Sequence, residues 1–200
     1  TKGIGHTEFK DSPVGKIPKE WEVKYIGNVS SKVGSGVTPR GGSKVYKDSG
    51  VKFLRSQNIH FSGLKLDDVV YISQDINDSM ESTKLKEGDV LLNITGASIG
   101  RCSFIPKGFG EGNVNQHVCI IRVKEDVGNR FLSYWLSSEL GQTQIFRFQA
   151  GGNREGLNFQ QIKEMCLSLP PLPEQQKIAS ILSSMDSHIE EKQRKLEQTQ

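Results

Sequence analysis

From Pro173 to Gln200 the chain carries no glycine and, beyond Pro173 itself, no proline. Just ahead of this segment stands Leu167-Ser-Leu-Pro-Pro-Leu-Pro173, which stops regular structure, because proline lacks an amide donor and fixes its own φ. Pro173 and Glu174 suit the first turn of a helix: a missing N–H costs nothing there, and a negative charge meets the positive end of the peptide dipoles. Apolar residues then recur at Ile178, Leu182, Met185 and Ile189, Lys192 takes the next seam position, and Leu196 follows. Spacings of 4, 3, 4, 3 and 4 make a heptad stripe. At about 1.5 Å per residue the segment is a rod of roughly 40 Å. A lone rod cannot bury such a stripe. The pattern therefore predicts a projecting coiled-coil helix over 173–200 that pairs with a second helix through Ile178, Leu182, Met185, Ile189 and Leu196, with Lys192 setting register at some cost in stability. The alternative is an amphipathic helix lying along its own domain.

Residues 1–172 read as one domain ahead of that helix. Hydrophobic residues are 34% of the 200, with nine Phe and two Trp, which supports a packed core rather than wholesale disorder. Trp21-Glu-Val-Lys-Tyr-Ile26 alternates as a strand does; Val51–Arg55, Val69–Ser73, Val90–Thr95, Arg101–Ile105 and His117–Val123 are further strands. Between them lie turn signals: the glycine-rich loop Val33–Lys44, the turn Lys86-Glu-Gly-Asp89, the tight loop Gly96–Gly100, and a turn around Gly108, Gly110 and Gly112. Helical spacing appears at Arg130–Ser138, where Phe131, Leu132, Trp135 and Leu136 share a face, and again at Phe159–Met165, after a loop over 151–156. The expected class is α+β: a mixed or mostly antiparallel sheet with short helices, followed by the long helix.

No apolar run approaches the roughly 18 residues that a membrane span needs. No secretory h-region is visible, so a cytoplasmic chain is expected. Cys102, Cys119 and Cys166 are scattered and odd in number, which argues for free thiols over a disulfide framework or a cysteine metal site.

Catalytic motifs fail one by one. Gly36-Val-Thr-Pro-Arg-Gly-Gly-Ser-Lys44 has Gly42 where a phosphate-binding loop needs its lysine. Gly34-Ser-Gly36 lacks the third glycine of a dinucleotide fingerprint. His6, His60, His117 and His188 stand alone, and Asp67-Asp68 projects two ways from one turn. Ser98 sits in a G-x-S-x-G spacing, but Cys102–Ile105 reads as strand where a nucleophile elbow needs a helix. No catalytic residue and no metal site is expected.

Binding equipment remains. Residues 1–60 hold 11 Lys/Arg against 5 Asp/Glu, whereas 61–130 hold 8 against 10. A basic first third suits a polyanion. Loops rich in glycine carry side chains able to contact base edges and phosphates: Thr38, Arg40, Ser43, Lys44 and Tyr46; Arg55, Asn58 and His60; Ser98 and Arg101; Asn115 and Gln116; Asn153 and Arg154. Asn58 and Gln116 have a second reading, as buried groups that tie loops to the sheet. A non-catalytic protein–protein scaffold with a dimerising coiled coil is the alternative function.

Asp11-Ser-Pro-Val-Gly-Lys-Ile-Pro-Lys-Glu-Trp-Glu-Val23, Gly36-Val-Thr-Pro39, Gly88-Asp-Val-Leu-Leu-Asn-Ile-Thr-Gly-Ala-Ser-Ile-Gly100, Asn115-Gln116 and Leu169-Pro-Pro-Leu-Pro-Glu-Gln-Gln-Lys-Ile-Ala179 follow one another along the chain. In this the sequence resembles the specificity subunit of type I restriction–modification systems. The resemblance implies a DNA-recognition domain that reads one half of a bipartite site in double-stranded DNA. It implies a long helix that sets spacing and docks methyltransferase subunits, with the restriction subunit joining through the complex. It also implies that S-adenosylmethionine and ATP belong to those partners, so the chain itself needs no cofactor. The family usually carries two recognition domains and two long helices. One of each is found here, so the chain reads either as a half-length protein or as a cut-out half of a longer one, and pairing of two copies through the helix would demand an interrupted palindrome.

Overall fold

The computed structural model describes residues 3–150 and 156–198. The chain opens with β1 (Phe9–Lys10) and β2 (Ile17–Pro18), then runs through β3 (Glu22–Tyr25) and a single turn, α1 (Ile26–Val29), into β4 (Ser30–Ser35). After a long loop come β5 (Val51–Leu54), the short hairpin of β6 (Ile59–His60) and β7 (Gly63–Leu64), β8 (Val70–Ile72) and α2 (Gln74–Ser79). Four strands follow: β9 (Val90–Asn93), β10 (Cys102–Phe104), β11 (Gly112–Val114) and β12 (Val118–Val123). The last third holds α3 (Asn129–Ser137), α4 (Glu139–Ala150), α5 (Phe159–Lys163), β13 (Cys166–Leu169) and α6 (Leu172–Glu197).

β9 and β12 lie at the centre of an antiparallel sheet of order β10-β9-β12-β4. Successive side chains on a strand point to opposite faces, and here both faces are covered. Val90 and Leu92 of β9, with Cys119 and Ile121 of β12, pack against Phe131, Leu132, Trp135 and Leu136 of α3 and Ile162 of α5. Leu91, Val118 and Ile120 face the other way, onto Leu54, Ile59 and Phe109. Two-sided burial explains why these strands read as unbroken apolar runs. Each fully buried Leu or Ile contributes about 1.5–3 kcal/mol relative to exposure. A second sheet, β11-β5-β8, is parallel between β11 and β5 and antiparallel between β5 and β8. Leu54 joins the middle core, while Val51 and Phe53 turn outward to Ile72 and Met80, with Ile76 of α2 alongside. The layers are thus helices, four-stranded sheet, three-stranded sheet and α2.

The α+β class and the mostly antiparallel sheets agree with the sequence reading. Several elements correct it. Val33–Ser35, expected as loop, belong to β4, which pairs Gly34 with Ile120 and closes an edge of the central sheet. Leu167–Leu169, expected as irregular, form most of β13 beside β3, and the prolines only end the strand. Gly112, expected in a turn, opens β11. Helices α2 and α4 had no apolar periodicity to reveal them. In α4 Ile145 reaches the core, and glutamines add polar anchors: Gln142 Nε2 donates to the carbonyls of Gly100 (3.0 Å) and Leu136 (2.8 Å). Gln144 exchanges hydrogen bonds with the backbone of Cys166 (3.0 and 2.8 Å).

The beginning of α6 is built into the domain. Gln175 is buried; its Nε2 donates to the carbonyls of Asp126 (3.2 Å) and Pro170 (2.8 Å), and its Oε1 accepts from Gly128 N–H (2.8 Å). Glu174 gathers the lead-in segment. Its Oε1 accepts from Ile4 N–H (3.1 Å) and His6 Nε2 (2.9 Å), and its Oε2 from Trp21 Nε1 (3.0 Å). Burial pushes this carboxyl up, but the three donors outweigh it and hold it below the usual range. Farther along, Tyr134 of α3 donates to Asp186 (2.6 Å). Burial, then that carboxylate, push the phenol up to about 12. Ile178, expected on the pairing seam, instead packs against the core of its own domain, and Leu182 is half-buried. Residues 184–198 are exposed throughout, with Met185, Ile189 and Leu196 more than half accessible. The helix combines both sequence readings: its first turns lie on the domain and the remainder projects.

Burial pushes the thiols of Cys102 and Cys119 up to about 11 and about 12, so both are protonated at neutral pH. No helix among the described residues is long and apolar enough to cross a membrane.

Candidate nucleic-acid interface

The glycine-rich loop leaves β4 at Gly36, which is buried and presses against the chain between β11 and β12. A Cβ there would lie 1.7 Å from the Val114 carbonyl oxygen, so only glycine permits this crossing. The crossing delivers Thr38, Arg40, Ser43 and Lys44 to the surface, all exposed. Tyr46, at the end of the loop, is half-buried; its ring packs on Phe53 (5.6 Å between centroids), and the Arg55 guanidinium lies over it (5.9 Å).

A second loop follows β5. Arg55 is half-buried and its Nη2 donates to the Asp68 carbonyl (2.8 Å). Asn58 is fully buried, and its amide is engaged within the protein: Oδ1 accepts from Arg55 N–H (2.9 Å), and Nδ2 donates to Lys65 O (3.0 Å) and Asp68 Oδ1 (2.8 Å). This corrects the base-contact expectation for Asn58 in favour of its second reading. The side chain holds the loop in shape. His60 bonds through Nε2 to the Gln57 carbonyl (2.8 Å) and stays half-buried.

The third loop turns at Gly96–Gly100. Gly100 has φ +88°, and a Cβ would meet Gln142 Oε1 at 2.6 Å, so α4 supports the loop from behind. Ser98 Oγ accepts from the buried Asn93 (3.1 Å), whose Nδ2 also donates to the Ser56 carbonyl (2.8 Å). Asn93 thereby joins the second and third loops. Arg101 is half-buried just before β10.

The fourth loop is the turn from β11 to β12. Asn115 is buried, and its Oδ1 accepts from His117 N–H (3.1 Å). It too shapes the turn through that oxygen. Gln116 is exposed, against its buried reading. The Thr38 hydroxyl donates to Gln116 Oε1 (2.5 Å), Gln116 Nε2 meets His117 Nε2 (2.8 Å), and His117 Nδ1 meets Thr95 Oγ1 (2.5 Å). A single hydrogen-bonded chain therefore runs from the first loop through the fourth to the third. Asn153 and Arg154 lie outside the described residues; the chain re-emerges at Gly156, which bridges to Thr95.

Sequence reasoning missed Asn93 and His117, which each join loops, and Gln142, which braces the third loop against α3. Their signal was weak: polar residues at the ends of apolar strands, or on a helix of weak apolar periodicity. Among the described residues no group of three His, Cys, Asp or Glu side chains could hold a metal ion.

Residues 18–198 match the family model described as Type I restriction modification DNA specificity domain. The chain belongs to this family. As a specificity domain it is 28% identical over 210 residues to the type I restriction enzyme MjaVIII specificity subunit of Methanocaldococcus jannaschii, covering 99% of this chain and 47% of that one. It is 27% identical over 168 residues to the EcoBI specificity subunit of Escherichia coli, covering 81% and 34%. Among solved structures, the HsdS subunit from Thermoanaerobacter tengcongensis shares the fold with a TM-score of 0.65 at 17% identity, over 93% of this chain and 42% of that one. A chain from a study of assembly and conformational transition of the type I R-M system gives 0.69, also at 17% identity, over 96% and 44%. This specificity domain spans less than half the length of these relatives.

Proposed function

We propose that this specificity domain is a non-catalytic DNA reader: residues 1–172 recognise a few base pairs of one half of a bipartite site, and the helix over 173–200 spaces and docks. The observation that carries the reading is the stitching of four sequence-distant loops into one surface by Asn93 and by the Thr38–Gln116–His117–Thr95 chain. Catalysis needs a few groups converging on one atom, whereas this surface spreads neutral donors and acceptors beside the exposed cations Arg40 and Lys44. That mixture suits base edges flanked by phosphates. The projecting half of α6 offers Met185, Ile189 and Leu196 to a second helix, either of another copy or of a methyltransferase subunit. In this scheme S-adenosylmethionine is brought by the methyltransferase and ATP by the restriction subunit. The methyltransferase also extrudes the target base into its own pocket. The assembly acts on cytoplasmic DNA.

Gel-shift titrations against duplex DNA at several salt concentrations test this. Binding should weaken steeply with salt, and Arg40→Ala and Lys44→Ala should each lower the logarithmic salt slope by about one where they meet phosphate. Absence of duplex binding, alone and with the methyltransferase subunit, overturns the proposal in favour of a protein-binding scaffold.

A further inference from the structure

Resting on the DNA-reading proposal, we infer that His117 is a positioning residue that decides which base Gln116 accepts, without itself touching DNA. The Gln116 amide has two acceptor and two donor positions. Thr38 uses one acceptor position and His117 one donor, so one lone pair and one N–H remain for a ligand on an exposed side chain. Such a pair matches the N6–H and N7 edge of adenine in the major groove. The match depends on order. An amide free to turn by 180° about its last bond presents either order and discriminates poorly.

His117 ties that freedom to its own tautomer. Gln116 Nε2 can only donate, so the ring nitrogen facing it, at 2.8 Å, must accept. The ring proton then sits on Nδ1, which donates to Thr95 Oγ1 at 2.5 Å. Turning the Gln116 amide would set its oxygen against the accepting ring nitrogen, which is repulsive. For a neutral ring the turn becomes allowed only if the ring proton moves to Nε2 and the Thr95 hydroxyl becomes a donor to Nδ1. Hydroxyl, tautomer and amide therefore switch as one unit. Thr95 and His117 are both half-buried behind the exposed Gln116 and Thr38, and Asn115 pins the backbone of His117 through its N–H.

The test is enrichment by the full chain from a duplex library with a randomised core, read out by sequencing. Wild type should enrich a motif, and Gln116→Ala should lose preference at one position, which marks the base pair it reads. At that same position His117→Ala should reduce discrimination from about ten- to hundredfold to under about threefold, with preference elsewhere retained. Thr95→Val should relax or switch that position and Thr95→Ser restore it; this pair keeps the test decisive if His117→Ala fails to fold. Uniform weakening at every position, or no change at the Gln116 position, overturns the inference and leaves DNA reading intact. A Gln116→Ala motif identical to wild type does the same. A wild-type chain that enriches nothing overturns the DNA reading, and this inference with it.

Discussion

Glu174→Gln perturbs one side chain that joins the lead-in segment, the core tryptophan and the long helix. The carboxylate has two accepting oxygens for three donors: Ile4 N–H and His6 on one, Trp21 N–H on the other. An amide of the same shape has one oxygen. Facing Ile4 and His6, it leaves its own NH2 against the Trp21 N–H; turned round, it opposes the Ile4 N–H. One enclosed donor is unpaired either way, at about 1–3 kcal/mol. Loss of the charge from the first turn of α6 adds about 0.3–1 kcal/mol. For a domain of this size, at about 2–4 °C per kcal/mol, that sum lowers Tm by about 3–16 °C. The effect also has a pH signature. The folded carboxyl is held below its ordinary value, so its stabilisation is fully present above the unfolded pKa of about 4.3 and is lost as pH falls through the folded value. Thermal melts followed by circular dichroism at pH 7, and at steps between pH 5 and 3, should show a gap between wild type and variant that closes with acid. A variant within 1 °C of wild type at pH 7, or a gap that persists unchanged to pH 3, would refute the clamp.

Ile189→Asp should abolish self-association in sedimentation experiments while leaving the domain folded by circular dichroism, because Ile189 is exposed and outside the core; a monomeric wild type would show that the exposed stripe serves another partner. Gly36→Ala should cost about 1–3 kcal/mol, as overpacking does, and weaken duplex binding although no charge is lost; melts and titrations on the same duplex check both. Arg122→Met removes the bidentate partner of the fully buried Asp89 (2.7 Å at both contacts). Chemical denaturation should register about 3–5 kcal/mol for that loss, against at most about 0.5 kcal/mol for Lys195→Met in the exposed Lys195–Glu191 pair.

What was legible in the chain follows from where apolar side chains decide structure. β9 and β12 are buried on both faces, so Val90–Leu92 and Val118–Ile121 announce themselves, and the glycine-free stretch before Gln200 announces a helix. Elements held by polar contacts stay silent. Besides Ile145 in the core, Gln142 and Gln144 secure α4 through backbone carbonyls and amides, and no periodicity records that. Neighbouring residues also mislead: the prolines after Leu169 hide a strand, and Gly34 disguises one. At the site, Thr38, Arg40, Ser43, Lys44 and Gln116 are presented as expected from their loops. Asn58 and Asn115 turn inward because short side-chain amides bond readily to nearby backbone N–H groups. The spacing Arg55–Asn58, in which the side chain reaches back three residues, was the available clue. His117 owes its place to three loops meeting, and that is a tertiary fact.

The rooting of α6 in the domain carries a geometric corollary. Because Gln175 and Ala179 are embedded, the globule cannot swivel about the helix; it is fixed to it as a crank is to a shaft. Inserting or deleting one residue in the exposed part would slide the globule by about 1.5 Å and also rotate it by about 100°. Seven residues restore the facing to within about 20°, four miss by about 40°, and two by far more. Azimuth, and not length alone, therefore limits which versions of this shaft could present the same loops to the same groove.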